Sequence, residues 1–399
     1  MLLSIICYSY FSQVSTDRRI AHITLGAQTS ILSWFAACAS TLQPLRTLVE
    51  NTVLEAVPSK VRTFEAFANG IFNQLRQLNT WCASKEEEIC VAEAGESPSH
   101  VVSLLSLKRD VSNAMGGIFE DLVKIVSQLE TLIPHSTPSI VAAAVLNSLW
   151  SHIKSRIAIN DFSTAWRLLD VWRMSGEPTW ANLHRWIKDG IPIQADIDGH
   201  PPPNATWQKD EFFVRINPLI HPGSPDFWEA SYRLPAKLPG QTDIPLNGNS
   251  DGDLSPYPLF LVPFTDDILA AGKAVGLLRA IGLFRLFGDN WLLEWKSLAQ
   301  VTSSLSLQAL DTSLSDAMAV TLVKTCKQPQ GWLHKVLVEE CQLWKHLQGL
   351  ENVCLMVRGD AMSQFSEKLF SRVCSYLSPS ICSLTRFSFS VDGHPTGLE

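Results

Sequence analysis

The residues in this sequence that come nearest to a nucleotide motif are the pair Gly272 and Lys273. A phosphate-binding loop would need a second glycine five residues before Gly272 and a serine or threonine directly after Lys273. The sequence has Asp267 and Ala274 at those positions. Asp266 and Asp267 would also repel a phosphate, and a helical pattern without a preceding strand surrounds the pair. These residues therefore do not predict a nucleotide site.

Other residues that could bind a metal or catalyse a reaction do not have the spacing that such sites require. His334, Cys341 and His346 come closest to a metal cluster, but their separations of seven and five residues do not match a zinc site. The acidic neighbours Glu339 and Glu340 would point in different directions on a helix and could not share a substrate. A G-x-S-x-G nucleophile motif is absent from the sequence. We therefore predict no enzymatic activity, no cofactor and no metal site.

The bulk composition is that of a globular chain with material for a large core. Of 399 residues, 46% are hydrophobic and 18% charged, and this length is typical of two or three folding units. The 39 acidic and 32 basic residues give a net charge of −7. Because no basic face large enough to hold a phosphate backbone is expected, nucleic acid is not a predicted partner.

Cysteine usage and the first residues bear on the cellular compartment. The nine cysteines are an odd number and form no C-x-x-C pair, which predicts reduced, buried thiols in an intracellular protein. Residues 1–11 are apolar but lack the basic start and the small-residue cleavage site of a signal peptide. They are too short to span a bilayer, and no later uncharged stretch is long enough. We expect a soluble chain with no membrane partner.

Apolar residues recur every three or four positions through most of the sequence, which predicts amphipathic helices. Pro44 is expected to break or kink the first of them. Gly176 and Pro178 are expected to separate two short helices, the second of which ends at Gly190. The predicted helical stripes lie at 23–49, 64–78, 118–133, 141–153, 166–172, 180–187, 268–286, 333–350 and 365–377.

The composition changes between residues 190 and 263, where 13 of the 22 prolines fall. This density excludes regular helix and predicts a long irregular insertion over 191–263. The serine-rich stretch 302–315 is interpreted as a linker. No run of alternating apolar and polar residues and no fixed-period repeat is present. The predicted fold is all-α, an elongated succession of antiparallel helical bundles with the Pro-rich insertion along one side.

A series of motifs, each weak alone, occurs in one order along residues 60–378. The most specific runs from Ile268 to Arg279 and has the form Ile-Leu-x-x-Gly-Lys-x-x-x-x-Leu-Arg. Together the motifs resemble the gamma-tubulin complex component family, known in fungi as spindle pole body components, and its component 5 type most. The other motifs are Thr63–Arg76; Leu183, Trp186 and Gly190 in a Leu-x-x-Trp-x-x-x-Gly segment; the acidic-Phe-Phe segment of Phe212 and Phe213; Phe227 and Trp228 with Tyr232; and the region from Glu340 through Leu343–Leu347 and Met356–Asp360 to Phe365 and Leu369.

This resemblance implies a domain order and a role. Residues 1–58 would be a partly helical leader, 59–316 the family's N-terminal helical domain, and 317–399 the truncated beginning of its C-terminal gamma-tubulin-binding domain. Family members associate side by side through their N-terminal domains. The implied function is that of a structural subunit in the lateral assembly that templates microtubule nucleation, in the cytoplasm and cytoskeleton, at a spindle pole body or microtubule-organising centre. The implied partners are other gamma-tubulin complex components, and gamma-tubulin only if the missing C-terminal domain is present.

The resemblance also assigns structural or interface roles to single residues. Gly272 is expected to permit close helix packing or to lie in an interface, and Lys273 to be a surface charge or an interface group. Phe212 and Phe213 are expected to point to opposite sides, one buried and one covered only by the insertion. The full set of motif residues is Trp186, Gly190, Phe212, Phe213, Phe227, Trp228, Gly272, Lys273 and Arg279. Trp186 and Trp180 share one helical face and are expected in the core.

Two departures from the family pattern carry expectations of their own. Insertions at 191–209 and 239–256 replace shorter links in the family. Because the family's C-terminal domain needs far more residues than follow position 317, its first helices would lack their usual cover. An exposed apolar patch is therefore expected on those helices, formed by Leu343, Leu347, Leu350, Phe365, Leu369 and Val373.

Two alternatives stay open from the residues alone. One is a helical tethering or adaptor scaffold of another family, which would have no reason to carry the Ile268–Arg279 pattern. The other is an enzyme of unrecognised type, which would require a deep pocket with convergent polar groups.

Overall fold

The computed structural model describes residues 23–54, 61–93, 103–190, 211–217, 219–220, 224–235, 255–283, 295–354 and 359–376. Residues 1–22 of the predicted leader and most of the predicted insertion lie outside this part, as does the side chain of Val373. Helices dominate the described residues, which confirms the all-α class. The strands described there are two-residue segments, β1 (Arg215–Ile216) and β2 (Tyr232–Arg233), paired antiparallel.

The helices account for most of the described chain. They are α1 (Leu25–Val49), α2 (Arg62–Glu93), α3 (Leu104–Met115), α4 (Ile118–Leu132), α5 (Pro138–Ala158), α6 (Phe162–Asp189), α7 (Thr265–Ala280), α8 (Leu298–Val301), α9 (Leu310–Glu339), α10 (Leu343–Cys354) and α11 (Gly359–Tyr376). A π-helical turn, Glu50–Leu54, follows α1, and another, Phe227–Ser231, precedes β2. No described helix is both long enough and apolar enough to cross a membrane.

Helix α6 is the centre of the packing and contacts α2, α5, α7 and α8. The prediction of two short helices here is wrong, because α6 runs unbroken through Pro178. An internal proline costs a helix about 3 kcal/mol. Burial on both sides of it, at Trp172 and Trp180, offsets that cost. Gly176 allows close packing against α8, since a Cβ there would lie 2.5 Å from Leu298 Cδ2.

Other helix boundaries also differ from the predicted ones. Helix α1 continues through Pro44 to Val49, so the proline does not break it. The predicted linker at 302–315 is wrong in part, because α9 begins at Leu310. The single helix predicted over 333–350 is instead divided between α9 and α10, and Gln342 at the division has a positive φ of 49°. Helix α3 was not predicted, although Ser103 starts it with a capping box.

A bidentate ion pair links α4 to α5 inside the core. Arg156 donates to Asp121 from Nε at 2.6 Å and from Nη2 at 3.0 Å, and its Nη2 also donates to the Gly117 carbonyl. Burial of Asp121 raises its pKa, but hydrogen bonds from His152 and Arg156 outweigh that effect and lower the pKa to about 2. This carboxylate therefore stays ionised in the folded protein down to strongly acidic pH.

The chain divides into two compact units, residues 1–333 and 334–399. The first holds the hydrophobic core, with the large buried side chains Trp172, Trp180 and Trp186. In the second, Trp344 of α10 is 64% exposed and Phe370 of α11 is also exposed. The predicted domain boundary between 316 and 317 lies within α9, and the assignment of domains stays a prediction.

Candidate functional site: the junction of α6 and α7

Trp186, near the end of α6, is the residue around which the predicted motifs meet. Its ring is buried, and its indole Nε1 donates a hydrogen bond to the Ile268 carbonyl of α7 at 2.8 Å. A Cβ on Gly272 would lie 2.0 Å from Cε2 of the same ring. Only glycine leaves room for the indole at this crossing. Gly272 therefore permits close packing of the two helices, and the side chain that it admits is Trp186.

Gly190 ends α6 in the left-handed conformation, with φ 66°, and its N–H donates to the Trp186 carbonyl at 2.9 Å. A Cβ at Gly190 would lie 2.2 Å from the Gly276 nitrogen, so the two backbones approach directly. Glycine is thus required here both for the turn and for the contact. The predicted helix end at Gly190 is confirmed.

Arg279, in the last turn of α7, reaches back to the end of α6. Its Nη2 donates to the Lys188 carbonyl at 3.2 Å and to Asp189 Oδ1 at 3.3 Å. A cation near the last carbonyls of a helix also interacts favourably with the helix dipole. Arg279 therefore ties the two helix ends together at the protein surface.

Aromatic side chains from within the predicted 191–263 insertion pack against Trp186. Its ring centroid lies 6.1 Å from that of Phe212 and 5.1 Å from that of Tyr232. Phe227 makes an edge contact with Tyr232, and the rings of Phe212 and Phe213 are 4.6 Å apart. The expectation that only one of the two phenylalanines is buried is wrong, since Phe212 is 8% and Phe213 2% exposed. Both have aromatic neighbours, since Phe212 lies against Trp186 and Phe213 lies against Tyr257.

Lys273 is not a surface charge as one expectation had it, because its side chain is buried within the protein. Its Nζ donates to the Trp228 carbonyl and lies 5.7 Å from the centroid of the Trp228 ring. Burial lowers the Lys273 pKa, and the nearby Arg233 lowers it further. The lysine thus holds the π-helical turn of Trp228 onto α7. The Trp228 ring itself is 44% exposed.

Glu211 is the important residue of this region that the sequence did not reveal. Its buried carboxylate accepts hydrogen bonds from the backbone N–H groups of Arg62 at 3.0 Å and Thr63 at 2.8 Å, and from the Thr63 hydroxyl. It therefore caps the N-terminus of α2, where Val61 offers no side-chain acceptor. Burial raises the Glu211 pKa, opposed by these hydrogen bonds. The only sequence signal was its place beside Phe212 in an acidic-Phe-Phe motif.

The junction is a tightly packed contact between α6, α7 and the residues that lie against them. The volume beside Gly272 is filled by the Trp186 ring, and the Lys273 ammonium is engaged with a carbonyl. No group of three or more potential metal ligands occurs in the described part of the chain. The side chains of His334, Cys341 and His346 are all exposed. The arrangement positions the 211–235 segment on α6 and α7.

Comparison of the sequence with known proteins identifies a family. No curated protein matches the chain at a significant level. The family model described as gamma tubulin complex component N-terminal matches residues 4–340. The match spans most of the chain and includes all nine motif residues, which the structure brings together at the ends of α6 and α7. The chain belongs to the gamma-tubulin complex component family.

Proposed function

We propose that this protein is a structural subunit of a gamma-tubulin complex that takes part in the lateral assembly templating microtubule nucleation. The observation that carries the proposal is the family match over residues 4–340. The partners we propose are other gamma-tubulin complex components, contacted through the helical region 59–316. We place the protein in the cytoplasm and cytoskeleton, at a microtubule-organising centre such as the spindle pole body, as a subunit of the component 5 type.

The nature of the motif junction supports a structural role. Its chemistry consists of glycines that admit an indole, a buried lysine that binds a carbonyl, and an arginine that ties two helix ends. All of these interactions hold helices in fixed positions. A rigid N-terminal unit is what a subunit needs if it must present the same lateral surfaces to each neighbour.

Co-expression with full-length gamma-tubulin complex components tests the proposal. We expect the tagged chain to co-purify with at least one of them in a defined ratio, measured by size-exclusion chromatography with light scattering. A control is the variant Leu75→Asp, which should strongly destabilise the N-terminal unit and weaken the co-purification with it. A folded parent chain that elutes alone in the presence of every component would contradict the proposal and favour an adaptor of another role.

A further inference from the structure

Two arginines lie directly opposite one another on the two-stranded ribbon of β1 and β2. The register pairs Arg215 with Arg233, and Ile216 with Tyr232. Tyr232 is buried against Trp186, and side chains alternate along a strand, so Arg233 points away from the core. Both arginines are exposed. Because side chains of directly opposite residues lie on the same face of a ribbon, the two guanidinium groups share one surface.

The two guanidinium groups have no anionic partner among the described residues. Neither Arg215 nor Arg233 makes a salt bridge or a side-chain hydrogen bond there. Asp226 and Glu229, which lie between the two strands in sequence, are exposed and pair with neither arginine. Like charges directly opposite on paired strands are destabilising. The ribbon thus presents two positive charges whose spacing is fixed by the strand register.

An exposed tryptophan lies beside these charges. The Lys273 ammonium is 5.7 Å from the centroid of the half-exposed Trp228 ring, and its hydrogen bond to the Trp228 carbonyl holds the turn in place. Burial lowers the Lys273 pKa and Arg233 lowers it further, so this guanidinium lies near the same ammonium. Tryptophan and arginine are enriched among the residues that dominate binding at protein interfaces. We call Arg215, Trp228 and Arg233 the ribbon surface.

We propose that the ribbon surface binds an acidic segment of a neighbouring protein subunit in the lateral assembly. The inference rests on the proposed function, which it deepens by naming a contact surface and the chemistry that the surface recognises. Charge complementarity selects the occupant, because a guanidinium can form two parallel hydrogen bonds with one carboxylate.

The spacing of the two arginines suits two carboxylates on one extended segment. Opposite Cα atoms on paired strands are about 4.5–5.5 Å apart. Alternate residues of an extended segment lie about 6.8 Å apart and point to the same side. Acidic side chains at alternate positions can therefore reach both guanidinium groups at once. Binding would also neutralise the like-charge pair, which the free chain leaves uncompensated.

The double variant Arg215→Gln, Arg233→Gln tests this contact in a binding titration with the full-length component that co-purifies with the parent chain. We expect the affinity to fall about 100-fold, or about tenfold for each arginine, because each loses a charge-assisted hydrogen bond. The control variant Arg76→Gln, Arg109→Gln removes two exposed arginines from α2 and α3 and should leave the affinity unchanged. The free ribbon variant should melt no lower than the parent, because it lacks the like-charge pair.

A photo-crosslinking residue in place of Leu219, which is 85% exposed beside β1, identifies what the surface binds. We expect crosslinks to a segment of the component that carries two or more acidic residues. Crosslinks to a segment with fewer, or to another part of the same chain, overturn the proposal. Binding that is lost when the component is treated with a phosphatase also overturns it, because phosphates rather than carboxylates would then be the anions.

Two further results separate this inference from the proposed function. An unchanged affinity of the ribbon variant, or a melting temperature below that of the parent, overturns the ribbon surface as a contact and leaves the proposed function standing. If the unaltered chain joins no component at all, the proposed function fails first and this inference fails with it.

Discussion

At the junction of α6 and α7 the ring of Trp186 occupies the space that any side chain at position 272 would need. On α10, by contrast, the ring of Trp344 is 64% exposed, and Leu347 and Leu350 lie on the surface beside it. Both helices have an apolar stripe in the sequence. The difference shows that amphipathic spacing indicates which face favours burial, whereas the partner that covers this face is a separate property of the tertiary structure.

The exposed stripes of the second unit match what the sequence predicted for them. Leu347, Leu350, Phe365 and Leu369 are all exposed, while Leu343 is half-buried. The predicted exposure is thereby confirmed for these four side chains of α10 and α11.

The largest expected effect contrasts a leucine in each region. Leu75 on α2 is buried in the core, and Leu75→Asp should lower the free energy of unfolding by about 4 kcal/mol, because it buries an unpaired charge. Leu347→Asp on α10 should change it by less than about 0.5 kcal/mol, because that side chain is already in contact with solvent. Urea unfolding followed by circular dichroism measures both. Equal losses of unfolding free energy in the two variants would show that α2 and α10 do not differ in how well these leucines are buried.

A second pair compares two helical glycines. Gly272→Ala should destabilise the protein by about 3 kcal/mol, because the added methyl meets the Trp186 ring. A methyl added at Gly349 on α10 would meet nothing within 4 Å, so Gly349→Ala should stabilise its helix by about 0.5–1 kcal/mol. Thermal unfolding, with Trp fluorescence reporting on the junction, distinguishes the two. If Gly272→Ala left the stability unchanged, the contact between α6 and α7 would be one that rearranges at little cost.

Acid should lower the stability of the first unit through protonation of Asp121. Its folded pKa of about 2 lies below the ordinary value of 3.8, so its contribution is complete above pH 3.8 and is lost as the pH falls towards 2. The expected contribution is about 2 kcal/mol. Urea unfolding at several pH values measures it. The Asp121→Asn variant should be less stable overall, and this part of the pH dependence should be absent from it. An unchanged slope of unfolding free energy against pH would exclude Asp121 as the source.

The smallest expected effect concerns the distant cap of α2. Glu211→Gln keeps one acceptor oxygen but loses the second, so we expect a loss of about 1 kcal/mol. Hydrogen exchange should show faster exchange at the N–H groups of Arg62 and Thr63, which the carboxylate now binds. Glu87→Gln, at an exposed site on the same helix, serves as the control. Unchanged exchange at the two amides would show that the cap contributes nothing to the helix start.

Local patterning determined much of this protein before any packing was known. The three- to four-residue spacing of apolar residues predicted the all-α class and the approximate positions of most helices, because that spacing places them on one helical face. The order of the motifs from Leu183 to Arg279 predicted the family. The left-handed end of α6 followed from Gly190, because glycine adopts that conformation without steric cost.

Tertiary structure decided what local patterning could not reach. Pro178 lies within α6 because buried side chains on both sides outweigh the lost hydrogen bond. Lys273 is buried because a carbonyl and an aromatic ring from a separate turn receive its ammonium. Glu211 caps α2 from 148 positions beyond Thr63. Each of these outcomes depends on groups distant in sequence, which helical periodicity and short motifs do not encode.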